Sequence, residues 1–379
     1  MKPHLQIPKL RSSRQSIKDI AAKGLAWDHI RLRINLFTED ESPTVEPASY
    51  RTWSIGEEIS IITATAIEWT PPGLARYKRS ALGVLTSNHV LALWSPDARL
   101  NEASQWKREL IFNRLLRSGG SQDEVADRRC QRIRAFAFSS TLCNRFVGSA
   151  ETINDTEIYL VSLTNDFGEI FVVKISSPFV PFRKGEDWSA AVVARHQPDA
   201  TVKNDPPPRS SILSDYLTSQ QTVDQLAWSE WYPEDGGAHT SILAFLSERV
   251  RCCRIVASLE ADGVEPKIQV DKEEILQEVD VYNGPVGWVP RAFSISAFPL
   301  LYSFGKNNFR CTEISISDLS SSKHSVLDVD DRWDMITGTK LKPSNYLRSW
   351  TKMSNKSCRS GLLLGPIKYR CGVQFDAYI

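Results

Sequence analysis

The sequence predicts an all-β fold, a WD-repeat-like β-propeller that is incomplete, with about four recognisable blade units and loop insertions. Runs of alternating apolar and polar residues end repeatedly in an aromatic side chain, at Trp69, Phe138, Trp228 and Trp288. After each comes a variable loop, an apolar run, a polar turn and another β-rich run, which is the pattern of successive antiparallel strands. One small sheet leaves a face wet, so such units are stable only beside one another, and here the unit recurs.

The first copy sets the pattern. Ala66-Ile67-Glu68-Trp69 alternates, Pro71-Pro72-Gly73 turns, and two β-rich runs, Leu82-Gly83-Val84-Leu85 and Val90-Leu91-Ala92-Leu93-Trp94, flank Thr86-Ser87-Asn88-His89. In the second copy Ile133-Arg134-Ala135-Phe136-Ala137-Phe138 precedes the two runs around Thr164-Asn165-Asp166-Phe167-Gly168. The third runs from Gln225-Leu226-Ala227-Trp228 to the strand pair around Ser247-Glu248-Arg249, and the fourth from Pro285-Val286-Gly287-Trp288 to the pair around Gly305-Lys306-Asn307. The four aromatics are the expected wedges between neighbouring blades. Their spacing is uneven and always exceeds the ~40–45 residues of a compact WD repeat, which requires long insertions.

Residues 1–24 are basic and polar and are expected to be a disordered lead-in, followed by the partial propeller over 25–338 and a divergent or truncated tail over 339–379. Trp106, Leu110, Ile111 and Leu115 fall on one helical face and suggest a helix, although Ile111 and Leu115 equally suit a strand end. The stretch 179–211, with Pro181, Pro198 and Pro206-Pro207-Pro208, is expected to be a loop, because successive prolines cannot donate to a ladder. The acidic stretch 256–280 reads as a solvated edge strand or short helix.

With 41% hydrophobic residues the chain can bury a sizeable core. A net charge of +1 gives no whole-molecule field toward nucleic acid, so any DNA-backbone contact must be local and non-specific. Arg76, Lys78 and Arg79 are candidate phosphate contacts; Arg128, Arg129, Arg132 and Arg134 form a second basic cluster. Arg249, Arg251 and Arg254 form a third, read as the solvent face of a strand.

Seven cysteines without a Cys-x-x-Cys pair indicate reduced thiols rather than a zinc site or disulfide framework. The six histidines are dispersed, and neither Gly-x-Ser-x-Gly, a P-loop nor Gly-x-Gly-x-x-Gly occurs. No catalytic residue, metal site or cofactor is therefore assigned. No apolar run reaches the ~18 residues of a membrane span, so no membrane partner is expected.

The words Ser54-Ile55-Gly56-Glu57-Glu58-Ile59-Ser60, Trp69-Thr70-Pro71-Pro72-Gly73-Leu74-Ala75, Gln225-Leu226-Ala227-Trp228-Ser229-Glu230-Trp231, Tyr282-Asn283-Gly284-Pro285-Val286-Gly287-Trp288 and Asp331-Arg332-Trp333-Asp334 occur in that order. Together they resemble the N-terminal domain of the fungal 90-kilodalton (delta) subunit of general transcription factor IIIC, over residues 25–338. The resemblance implies a nuclear, WD-repeat-like scaffold. It would support RNA polymerase III transcription of transfer RNA and 5S RNA genes through contacts with the other subunits of the factor.

It also brings an attribution of histone acetyltransferase activity as an alternative, and an unrelated WD-repeat adaptor is a further one. Arg145, Gly148 and Ala150 satisfy the Arg/Gln-x-x-Gly-x-Gly/Ala pattern of an acetyl-CoA pyrophosphate cradle. That cradle works at a helix N-terminus, whereas a strand is expected to follow here.

Overall fold

The computed structural model describes residues 5–10, 27–34, 62–97, 102–116, 130–145, 155–179, 187–198, 223–234, 237–247, 249–259, 266–276, 286–289, 299–304, 308–317, 319 and 323–328. Their regular structure is almost entirely β-strand. The chain divides into two compact units, Met1–Ile133 with Ile175–Ala190 and Arg134–Lys174 with Ala191–Ile379. Each is considered by itself.

In the first unit β1 (Leu5–Leu10) pairs antiparallel with β2 (Trp27–Leu32), from Leu5↔Leu32 to Leu10↔Trp27. This differs from the disordered lead-in expected over 1–24. A four-stranded antiparallel sheet follows in chain order: β3 (Ala64–Trp69), β4 (Leu82–Thr86), β5 (Leu91–Pro96) and β6 (Trp106–Ile111). Leu82, Val84, Ala92, Trp94 and Trp106 bury one face with Leu32 and Ile34. Beyond β6, buried Asn113 fixes the chain: its Nδ2 donates to the carbonyls of His89 (2.7 Å) and Gln131 (2.6 Å), and its Oδ1 accepts from Leu91 N–H (3.0 Å).

Strand β6 lies where the apolar spacing suggests a helix. Its register against β5 shifts between Leu93↔Leu110 and Trp94↔Arg108, leaving Glu109 as a bulged residue. A bulge breaks the two-residue alternation. Trp106 and Ile111, an odd five residues apart, thereby both pack on the same core. The helical spacing is the trace of that bulge.

Three more antiparallel sheets follow. β7 (Ile133–Phe138), β9 (Asp155–Asn165), β10 (Ile170–Ser176) and β11 (Ser189–His196) pair in the order β11-β10-β9-β7, with β8 (Leu142–Arg145) on β9. β12 (Gln225–Trp228), β14 (His239–Leu246), β15 (Val250–Leu259) and β16 (Pro266–Ile275) form the third sheet, with β13 (Tyr232–Pro233) on β14. β17 (Val286–Trp288), β18 (Leu300–Phe304), β19 (Asn308–Glu313) and β20 (Lys323–Asp328) form the fourth. Strand β11 occupies part of the stretch expected to be a proline-rich loop; Pro178, Pro181 and Pro198 flank it in the sequence rather than interrupt it. Pro206 to Pro208 lie outside the described residues.

The core of the second unit explains the apolar run of β14. Successive strand residues point to opposite faces. Leu243 and Phe245 join Leu160, Ile170 and Val172 in one cluster, while Ile242, Ala244 and Leu246 join Val286 and Leu301 in another. Both faces of the third sheet are thus buried, and Cys253 and Cys252 divide between the same two clusters.

The aromatic markers differ in what they do. Trp228 packs on the cluster shared by the second and third sheets, and its indole N–H donates to Ser162 Oγ of β9 at 2.8 Å. Trp288 packs on the next cluster and donates to the carbonyl of Ala227 in β12 at 3.0 Å. Each indole therefore reaches the preceding sheet. Phe138 is buried edge-on to Phe136, with ring centroids 5.7 Å apart.

Trp69 departs from the wedge expected of it. It ends an edge strand, is 40% exposed, and leans on Trp106 of its own sheet at 6.1 Å. Among the described residues no further strand of that sheet covers β3, so its indole stays partly wet.

Replacing Trp228 with Ala is expected to cost about 3–5 kcal/mol. Ser162→Ala, which removes the acceptor of the Trp228 indole and the hydroxyl that donates to Ala137 carbonyl (3.3 Å), is expected to cost about 1–3 kcal/mol. Denaturant titration measures both, and a Trp228→Ala variant as stable as the parent would remove the seam from the account.

Candidate functional site

The connection from β3 to β4 carries the densest basic run that the structure describes with its side chains. Its base is closed by Thr70, whose N–H donates to Ala81 carbonyl (2.9 Å) and whose Oγ1 accepts from Ala81 N–H (2.8 Å). Gly73 has φ 114°, a conformation that a Cβ disfavours, and its N–H points at the carbonyls of Lys78 (3.0 Å) and Arg79 (3.2 Å). Leu74 and Ala75 are fully buried, and Ala75 N–H reaches Arg79 carbonyl at 2.9 Å. The stem is therefore fixed.

The tip, Arg76–Lys78, is a single 3-10 turn in which Tyr77 (φ 60°) and Lys78 (φ 56°) both adopt the left-handed conformation. For residues with a Cβ this costs roughly 1–2 kcal/mol each. The Tyr77 ring is 65% exposed, with the guanidinium carbons of Arg76 and Arg79 at 5.1 and 5.3 Å from its centroid. Arg76 is tethered by Asp97 at 2.7 Å, and Lys107 shares that carboxylate at 3.2 Å. The hydrogen bond from Arg76, then that from Lys107, holds Asp97 below the usual carboxylate range. Arg76 and Lys107 thus share Asp97, and Glu109 lies within electrostatic reach of Lys107 and Asp97.

The structure thus brings Arg76, Lys78 and Arg79 together and adds Tyr77, Asp97 and Lys107. The run Arg-Tyr-Lys-Arg was visible as charge; neither the paired left-handed residues nor the tether to Asp97 has a sequence signal. Of the acetyl-CoA candidates, Arg145 closes β8 opposite Asp155, so its backbone is extended, and Gly148 and Ala150 lie outside the described residues.

A second polar constellation escaped sequence reasoning altogether. Glu273 on β16 accepts from Arg251 Nη1 (2.8 Å) and bonds His196 Nε2 (2.7 Å). Arg251 is buried, not on the solvent face of β15 as its alternation with Arg249 suggests. Burial pushes the Glu273 carboxyl up, but the bonds from His196 and Arg251 and the accompanying charge outweigh it, so the group sits below its ordinary range. Burial pushes the Cys252 thiol up, and the Cys253 thiol likewise, with Glu273 adding to the latter.

Among the described residues no group of three or more His, Cys, Asp or Glu could hold a metal ion, and no helix is long and apolar enough to cross a membrane. The family model for the beta-propeller domain of transcription factor IIIC subunit delta matches residues 2–362. The chain belongs to this family. No curated protein matches it. The four consecutive antiparallel sheets are blades in the family's terms, and membership gives the chain a role in transcription factor IIIC. The match spans β1 and β2 and runs past Gly338, so the subunit delta domain is wider than the likeness read from the sequence words.

Glu273 has its carboxyl lowered on folding, so its contribution is complete above its ordinary value of 4.5 and is lost as pH falls through the lower folded value. Glu273→Ala, which takes from buried Arg251 the carboxylate it bonds, is expected to cost about 3 kcal/mol at neutral pH. The gap to the parent should narrow in denaturation series taken below pH 4.5. Cys252 and Cys253 should resist iodoacetamide in the folded chain and react after denaturation, as read by mass spectrometry, because buried thiols with raised pKa values supply no thiolate.

Proposed function

We propose that this chain is a non-catalytic scaffold of transcription factor IIIC, working in the nucleus and supporting RNA polymerase III transcription of transfer RNA and 5S RNA genes. Its partners are the other subunits of the factor, bound through the loops and rims of WD-repeat-like blades spanning residues 25–338. The family match over residues 2–362 carries this reading.

The architecture supports it. The third sheet, with both faces buried, leaves its loops and edges for partners. The Glu273, Arg251 and His196 constellation joins three strands within the second unit, which is the work of a rigid support.

Affinity purification of the tagged chain from its own cells tests the proposal. The remaining subunits of the factor are expected in stoichiometric amounts. Recovery of the chain with an unrelated set of proteins would reassign it as an adaptor outside transcription, and acetyl-CoA binding by the purified chain would reopen the acetyltransferase alternative.

A further inference from the structure

We propose that the β3–β4 connection is a contact for the phosphate backbone of double-stranded DNA, made by Lys78 and Arg79 with Tyr77 as the plate that positions the guanidinium groups. Burial does not account for the Tyr77 ring, which is 65% exposed although its neighbours Leu74 and Ala75 are fully buried. Nor is its backbone relaxed, since Tyr77 and Lys78 are consecutive left-handed residues without being glycine. Such strain persists where surrounding structure over-determines it, and it gathers at binding sites. Here the over-determination is visible: Gly73, Ala75 and Thr70 lock the stem, and Asp97 holds Arg76.

The result is a stiff turn that presents cations at set positions. Arg76 and Arg79 lie 5.1 and 5.3 Å from the Tyr77 centroid, so both guanidinium planes have lost freedom before any ligand arrives. Pre-organisation of this kind lowers the entropy lost on binding. Guanidinium groups also suit phosphate, which they can bind through two parallel hydrogen bonds.

Charge density selects DNA over an acidic protein segment. A duplex carries one negative charge per roughly 1.7 Å of its axis. An extended acidic peptide offers at most one per ~3.3 Å. With a net charge of +1 the whole chain supplies no long-range attraction, so a local cluster gains most from the denser anion. Release of counterions from the duplex supplies the driving force, without base readout.

The test is fluorescence anisotropy of the full chain with a labelled 30-base-pair duplex of arbitrary sequence, titrated at ionic strengths from about 50 to 200 mM. Binding is expected to weaken with salt, and Lys78→Ala and Arg79→Ala are each expected to reduce the slope of log K against log salt by about 1. Tyr77→Ala should lower affinity although it removes no charge, and Tyr77→Phe should restore it. Thermal melts of the variants check folding, and Lys78→Gln serves as a second charge-removing variant.

Absence of binding by the folded parent overturns the proposal, as does an unchanged slope in Lys78→Ala, Arg79→Ala and Lys78→Gln alike. A polyglutamate peptide that competes as well as the duplex at equal charge also overturns it, by assigning the loop to a protein partner. The scaffold reading is tested separately, since co-purification of the other subunits does not depend on Lys78 or Arg79.

Discussion

The indole hydrogen bonds that run from one sheet to the one before it are the constraint on which the second unit depends. Apolar burial drives sheets together but has no direction, so it does not decide which rows face each other. A buried indole N–H needs an acceptor. Trp228 finds Ser162, and Trp288 finds the carbonyl of Ala227. The same seams carry Thr164 Oγ1 donating to Val223 carbonyl and Val286 N–H donating to Gln225 Oε1. Slipping one sheet past the next would break donors and acceptors together, which gives the stack one arrangement.

A second device recurs just after the aromatic. Thr70, Ser139 and Ser229 are all buried, and each donates its hydroxyl to the carbonyl of the following residue. Each also pairs its N–H with a carbonyl at or just before the next long strand: Ala81, Leu160 and Ile242. The hydroxyl lets the chain leave the ladder without stranding a polar group, so whatever follows can vary in length. Closing a longer loop costs only about 0.6 kcal/mol per doubling. That tolerance accounts for the uneven spacing of the blades. In the fourth copy Val289 keeps the N–H bond to Leu300 carbonyl but has no hydroxyl to offer.

Three strands of each of the four larger sheets were legible in the sequence, because their apolar runs are long and the turns of the first, second and fourth copies carry Gly, Asn or Asp. The outer strand was harder in each case. β6 hides behind the bulge at Glu109; β11 sits among prolines; β16 reads Pro-Lys-Ile-Gln-Val-Asp-Lys-Glu-Glu-Ile; and β20 is polar. An outer strand has less to bury, so its composition carries little of the two-residue pattern. At the site, the basic character of Arg76, Lys78 and Arg79 was plain, whereas the tether depends on Asp97, which adjoins them only through folding. The bond between His196 and Glu273 joins residues from different sheets and is invisible to any local pattern.

The two seam acceptors differ in kind. At Ser162 the acceptor is a side chain, open to replacement by any residue that supplies or withholds an oxygen, so substitution at one codon can tune that joint. At Ala227 the acceptor belongs to the main chain, which every amino acid carries, so no substitution at 227 deletes it. The third and fourth sheets are consequently coupled by a joint that drift at its receiving strand leaves intact, while the coupling of the second and third remains adjustable.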